Sequence, residues 1–216
     1  MLIKGLYAVT PDTEDSGALC RKVLAVLTAG VRLIQYRNKS ASPAQRAAQA
    51  LELTALCRRF DACLIVNDDP DLAALCSADG VHLGADDTPV AQARRILGPG
   101  ALIGVSCYSN VERAMRAAAE GADYVAFGSF FRSATKPRAQ PAALSLLAAA
   151  AACGLPIVAI GGITAQNAGR VIEAGADAVA VVNGLFGAPD IESEGRRLLD
   201  VVAAALARQV AEQAAS

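Results

Sequence analysis

The sequence has no tryptophan, a single histidine and only 4% aromatic residues, so its core must be filled by Ala, Val, Leu and Ile. Few ring faces remain on which nucleic-acid bases would stack. An excess of one charge is missing too. The 20 Lys plus Arg and 21 Asp plus Glu leave a formal net charge of −1, which gives no general field to hold a polyanion. A nucleic-acid partner is therefore not expected. No apolar run approaches the roughly 20 residues that a membrane span needs. The Ala-rich stretch 142–152 is too short, and Cys153-Gly154 closes it. The start, MLIKGLYAVTPD, lacks a basic region followed by a long apolar one, so it does not read as a signal peptide. There is also no C-x-x-C pair. The six cysteines, Cys20, Cys57, Cys63, Cys76, Cys107 and Cys153, are scattered, several of them in apolar runs where a reduced thiol packs as a small hydrophobe. Free thiols, no membrane partner and a cytoplasmic setting are the expectation.

What is present is a core. Hydrophobic residues at 54% against 19% charged exclude disorder for the bulk of the chain. A chain of 216 residues suffices for one large domain, 1–216, with 211–216 as a frayed tail. Short β-rich runs at 5–10, 32–36, 63–66, 80–83, 102–106, 124–127, 157–160 and 178–182 alternate with helical patterns at 18–29, 44–60, 70–76, 89–97, 110–120, 142–152, 165–174 and 191–214. The strands are apolar on nearly every position, as parallel strands buried on both faces are. Strict alternation predicts right-handed crossovers and a parallel sheet. Eight such units in this length predict a single-domain (β/α)₈ TIM barrel, of the α/β class. The alternative, a doubly wound open sheet, normally carries G-x-G-x-x-G after its first strand, and here Thr10-Pro11-Asp12 stands there instead. The recurring segments at 78–81, 121–125 and 175–179 each turn a helix end into a strand, and Asp79, Asp123 and Asp177 read there as turn or cap residues.

In such a barrel the residues just past the C-terminal strand ends build the site. Strand two runs into Gln35-Tyr36-Arg37-Asn38-Lys39, strand three into Asn67-Asp68-Asp69, strand four into Asp86-Asp87 and strand five ends at Ser106. Strand six leads to Ser133-Ala134-Thr135-Lys136, strand seven to Gly161-Gly162 and strand eight to Asn183-Gly184. Arg37, Lys39 and Lys136 are converging cations suited to a phosphate or diphosphate. Asp68 and Asp87 beside them suit Mg²⁺, which takes one or two protein oxygens and completes its shell with phosphate and water. Asp69, before Pro70, reads as a helix N-cap, and Asp86 as a surface residue. Gly161-Gly162 lets backbone N–H groups approach a second phosphate. His82, inside an apolar strand run, reads as a hydrogen-bonded inward residue rather than a catalyst. Cys107 follows Ser106 and is expected at the catalytic face, where a bulky thiol reagent would block the site.

The order QYRNK, NDDP, ADGVHLGADD, GVSCYS, GADYVAFGSFFRSATK, IVAIGGIT and AVAVVNGLF resembles the thiamine-phosphate synthase family, from about Tyr7 to Phe186. The resemblance implies a (β/α)₈ barrel that couples a hydroxymethylpyrimidine diphosphate to a thiazole phosphate, giving thiamine phosphate and diphosphate with Mg²⁺. It implies that Gln35, Tyr36, Arg37, Asn38, Lys39 and Asn67 hold the pyrimidine diphosphate, and that Asp68 and Asp87 bind the metal. Ser106 would lie on the pyrimidine side, and Lys136 on the diphosphate. Ser133, Ala134, Thr135, Gly162, Val182 and Asn183 would hold the thiazole phosphate. Arg37, Lys39, Lys136 and Ser106 would carry the catalytic work, by stabilising departing negative charge rather than by abstracting a proton. The chain departs from the family at Tyr36-Arg37-Asn38, Arg132-Ser133 and Asn183. Other readings are a thiazole tautomerase on the same fold, which needs a proton shuttle, and a non-catalytic barrel that binds phosphate ligands. The partners implied are small molecules, with a homo-oligomer compatible with the sequence.

Overall fold

A computed structural model describes residues 3–132 and 141–214 of the chain. Its eight strands close into a barrel in which each strand pairs in parallel with the next and the last returns to the first. The strands are β1 (Gly5–Val9), β2 (Leu33–Tyr36), β3 (Cys63–Asn67), β4 (Gly80–Leu83), β5 (Leu102–Tyr108), β6 (Tyr124–Phe127), β7 (Ile157–Ile160) and β8 (Ala178–Val181). The helices are α1 (Ser16–Ala29), α2 (Pro43–Arg58), α3 (Pro70–Cys76), α4 (Val90–Leu97), α5 (Val111–Ala119), α6 (Ser145–Ala150), α7 (Ala168–Glu173), α8 (Asn183–Phe186) and α9 (Ile191–Ala214). The alternation expected from the sequence is therefore the architecture found.

Two buried clusters explain why strands without polar positions are stable here. Outward residues of the strands, such as Ile34, Leu64, Val81, Val125 and Val179, pack under the helices. Inward residues, such as Leu33, Cys63, Ile65, Val158 and Ala180, fill the barrel with Tyr7 and Tyr124 among them. Both faces of a parallel strand are thus dry. Helix α1 shows the outer half of the bargain: Val23, Val26 and Leu27 are fully buried, and each contributes roughly 1.5–3 kcal/mol.

Helix starts follow local chemistry. Asp15, Ser42, Asp69 and Asn110 each cap a helix by accepting a backbone N–H three residues on. Two helix starts lie three residues later than in the sequence reading. Helix α7 starts at Ala168, because Asn167 folds 164–167 into a turn by accepting the Thr164 N–H at 2.9 Å. The run 142–152 is helical only from Ser145, with Ala151–Cys153 tightening into a 3₁₀ turn. The short helix α8, directly after β8, was not expected at all.

The N-terminal end of the barrel is pinned by aspartates. Asp79 accepts the Leu64 N–H at 2.8 Å, Asp123 the Ile103 N–H at 2.7 Å and Asp177 the Ile157 N–H at 2.8 Å. Each stands just before an even-numbered strand and bonds the start of the odd-numbered strand beside it. The repeated Ala-Asp of the sequence is thus a register clamp. The cysteines are all free thiols.

Candidate active site

At the opposite end, the C-terminal mouth, β2 delivers the first cations. Thr10, fully buried, holds the strand exit by bonding both the N–H and the carbonyl of Arg37 at 2.9 Å. The Arg37 guanidinium pairs with Asp12 at 3.0 Å, and Asp12 also accepts the Lys39 N–H at 2.7 Å. Asp12 therefore orients this basic loop, a role that nothing in its sequence context revealed. Lys39 Nζ reaches Asp68 at 3.1 Å. The two intervening side chains turn away. Tyr36 Oη donates to Gln49 at 2.8 Å, and Asn38 Nδ2 donates to the same Gln49 oxygen at 2.9 Å while its Oδ1 accepts from Ser40 and Ala41. Both are buried, their polar atoms engaged with Gln49 of α2.

Asp68 leaves β3 with a left-handed backbone, φ 65°, and its N–H donates to the His82 carbonyl at 2.8 Å. That conformation is costly for a residue with a side chain. Asp87 comes from the loop after β4 and accepts the Gly84 N–H at 2.6 Å. The two carboxylates stand near enough for Asp68 to act electrostatically on Asp87. Burial first, and then Asp68, raise the Asp87 carboxyl above the usual range, against the lowering by the Gly84 N–H and Lys39. Asp86 is exposed and Asp69 caps α3, as the sequence reading expected of these two. Crowded carboxylates that have, among the described residues, Lys39 beside them fit a divalent cation.

The floor of the mouth is a hydrogen-bonded chain through the barrel. Gln35 Nε2 donates to Tyr7 Oη at 2.9 Å, Tyr7 meets Tyr124 Oη at 2.9 Å, Tyr124 meets His82 Nδ1 at 3.0 Å, and His82 Nε2 meets Ser106 Oγ at 2.9 Å. Tyr124 crosses the interior over Gly104, where a Cβ would stand 2.0 Å from its ring. Burial pushes His82 down to about 4 and the two phenols up, so the chain is uncharged near neutrality. The lone histidine is indeed an inward hydrogen-bonded residue. Asn67, the last residue of β3, stands opposite His82 in the strand register.

Cys107 corrects an expectation. It is fully buried in the cluster beneath the helices, with its thiol on the Val105 carbonyl, because neighbours along a strand face opposite sides. It does not line the mouth. Arg113, which the sequence reading missed, does support it: from α5 it donates to the Ser106 carbonyl at 2.7 Å and the Gly84 carbonyl at 2.9 Å, tying the ends of β4 and β5 together.

Across the mouth, Gly161 and Gly162 have φ of 102° and 65°, and a Cβ on Gly161 would stand 2.1 Å from Ser129 Oγ. Asn167 holds this turn by donating to the Gly162 carbonyl at 3.0 Å. The β8 exit abuts it, since a Cβ on Gly184 would lie 2.3 Å from the Ile163 carbonyl. Val182 and Asn183 thus open α8 beside the glycine pair. Ser133, Ala134, Thr135 and Lys136 lie outside the described residues.

Comparison with known proteins meets this geometry. The thiamine monophosphate synthase family matches residues 6–185. The chain belongs to that family. It is 55% identical over 196 residues to the thiamine-phosphate synthase of Chromobacterium violaceum, covering 91% of this chain and 95% of that one. With the thiamine-phosphate synthase of Thiobacillus denitrificans it shares 54% over 201 residues, covering 93% and 95%. Among solved structures, thiamine phosphate pyrophosphorylase from Pyrococcus furiosus superposes with a TM-score of 0.83 at 34% identity, covering 94% of this chain and 96% of that one. A 3-hexulose-6-phosphate synthase, at 20% identity and a TM-score of 0.70, shares the barrel alone. Members of the thiamine monophosphate synthase family are enzymes, and this chain is one of them. Among the described residues no helix is long and apolar enough to cross a membrane.

Proposed function

We propose that the chain joins an aminopyrimidine carrying a methylene diphosphate to a thiazole phosphate, giving thiamine phosphate and diphosphate. The observation that carries this is the division of the mouth. Arg37, Lys39 and the Asp68–Asp87 pair stand on one side, and the Gly161-Gly162 turn with the start of α8 on the other. Two anions of different size thus have separate seats. In the reaction the methylene C–O bond breaks, diphosphate leaves with the electron pair, and the thiazole nitrogen lone pair forms the new C–N bond. No protein group has to take a proton from carbon, which agrees with a site built of cations and donors.

Arg37 and Lys39 bind the departing diphosphate, and Lys136 joins them from the loop after β6. Asp12 orients the Arg37 guanidinium and holds the Lys39 backbone, and Asp68 holds the Lys39 ammonium, so these charges need little reorganisation as negative charge grows on the leaving group. Asp68 and Asp87 would hold Mg²⁺, which when bound neutralises diphosphate charge. Gln35, Asn67 and Ser106 receive the pyrimidine, with Tyr36 and Asn38 shaping the loop from behind. Ser133, Ala134, Thr135, Gly162, Val182 and Asn183 receive the thiazole phosphate. The tautomerase reading needs a proton shuttle, but the sole imidazole has both nitrogens engaged below the mouth. One catalytic domain in a reducing cytoplasm fits the free thiols.

The test is turnover of the purified protein with both substrates, with and without Mg²⁺. Formation of thiamine phosphate and diphosphate in equal amounts, abolished by a chelator, is expected. Isomerisation of the thiazole alone, or binding of phosphates without product, would overturn the proposal.

A further inference from the structure

The interior chain has a direction. Tyr7, Tyr124 and the neutral imidazole of His82 each carry one hydrogen for the chain, and each link needs one. Given the Gln35 N–H on Tyr7, Tyr7 must donate to Tyr124 and Tyr124 to His82 Nδ1. Reversing any one group would leave an oxygen pair without a hydrogen, or a phenol hydrogen without an acceptor, in a region that is almost wholly buried. His82 then carries its hydrogen on Nε2 and donates to Ser106 Oγ. Ser106 keeps its own hydrogen for the mouth, while Gln35 keeps Oε1. The two ends always differ: one offers a donor and the other an acceptor.

We propose that Tyr7, Tyr124 and His82 are positioning residues that fix this sense, so that Ser106 presents a donor and Gln35 an acceptor to the edge of an aminopyrimidine. A ring nitrogen beside an exocyclic amine is the complementary pair. The match rests on the substrate reading above; the direction of the chain rests on the barrel alone. Gly104 is part of the same device, because it alone leaves room for the Tyr124 ring to span from β6 to Tyr7 on β1.

With one histidine in the chain, ¹⁵N-histidine labelling gives the two ring-nitrogen resonances of His82 without assignment. The free protein is expected to show hydrogen on Nε2 and none on Nδ1; hydrogen on Nδ1 would overturn the proposal. Tyr124→Phe removes only a hydroxyl and is expected to leave His82 as a mixture of tautomers; an unchanged tautomer would overturn it. In the same variant kcat/KM for the pyrimidine diphosphate should fall about tenfold, the loss of one hydrogen bond, with KM for thiazole phosphate within about twofold. Equal losses for both substrates would mark a merely structural role. Should Tyr124→Phe not fold, Tyr7→Phe cuts the chain one link further back and carries the same two readouts. Absence of turnover in the unaltered protein would sink the aminopyrimidine, while the tautomer still decides the chain.

Discussion

The two ends of the barrel use aspartate in opposite ways. At the N-terminal end Asp79, Asp123 and Asp177 each spend an oxygen on a strand N–H, and Asp123 is further paired with Arg94 at 2.6 Å. At the C-terminal end Asp68 faces Asp87 and a lysine, in a backbone conformation that disfavours it. Carboxylates at the first end are satisfied by the fold itself. Those at the second are crowded together, and under the proposed function a bound cation would relieve them. Stability and chemistry are thereby kept some four strand residues apart on the same sheet.

The largest effect expected is on the crowded pair. Asp87→Asn keeps an oxygen for the Gly84 N–H but removes the charge, and Asp68→Asn does likewise beside Lys39. Losing stabilisation of the leaving group should cost about 2.7–4 kcal/mol, a fall in kcat of roughly two to three powers of ten, with thermal unfolding nearly unchanged. Steady-state kinetics and a melting curve decide it; full activity in both variants removes the pair from the mechanism.

The mirror experiment is at the other end. Asp177→Ala strands the Ile157 N–H, whose residue is 2% exposed. A buried unpaired donor costs about 1–3 kcal/mol, which for a chain of this size lowers Tm by roughly 2–12 °C. Turnover well below the transition should be normal. A large kinetic defect with unchanged Tm would erase the contrast between the two ends.

His82 couples the mouth to stability through pH. Its folded value, about 4, lies below the ordinary 6.5, so between these values the unfolded chain binds more protons. The stability carried by the neutral ring is complete above about pH 6.5 and drains away as pH falls toward 4. From pH 7 to 4.5 the loss should be roughly 2–3 kcal/mol beyond that of His82→Gln. Urea titrations of both proteins at the two pH values measure the difference, and parallel curves would contradict it.

The smallest effect belongs to Cys107. Burial raises its thiol to about 11, so it should resist a thiol reagent in the native state, and Cys107→Ala should keep its turnover. Rapid modification with loss of activity would put the thiol at the mouth after all.

Much of this was legible in the sequence because it is local. Strand and helix alternate with periods of two and 3.6, and Asp69 announces a cap by preceding Pro70. The acidic and basic strand ends could be ranked by their place after apolar runs. Side-chain direction was also legible in principle: the period of two that turns Ser106 inward turns Cys107 outward, and the same rule sends Tyr36 toward α2 while Gln35 enters the barrel. What stayed hidden needs closure of the sheet. Tyr7 and Tyr124 are 117 positions apart and meet only across a closed interior. Arg113 reaches back from a helix to two strand ends, and Asp12 acts on a loop 25 and 27 residues away. Nothing in their immediate neighbours marks these residues.

The floor made by Tyr7, Tyr124 and His82 also governs traffic. Ile65, Val158 and Ala178, fully buried, pack in the interior with it, so below the mouth a molecule meets packed side chains rather than a channel. Under the proposed function, the pyrimidine resting on Gln35 and Ser106 at that floor is expected to bind before the thiazole phosphate, an order that product-inhibition patterns would test.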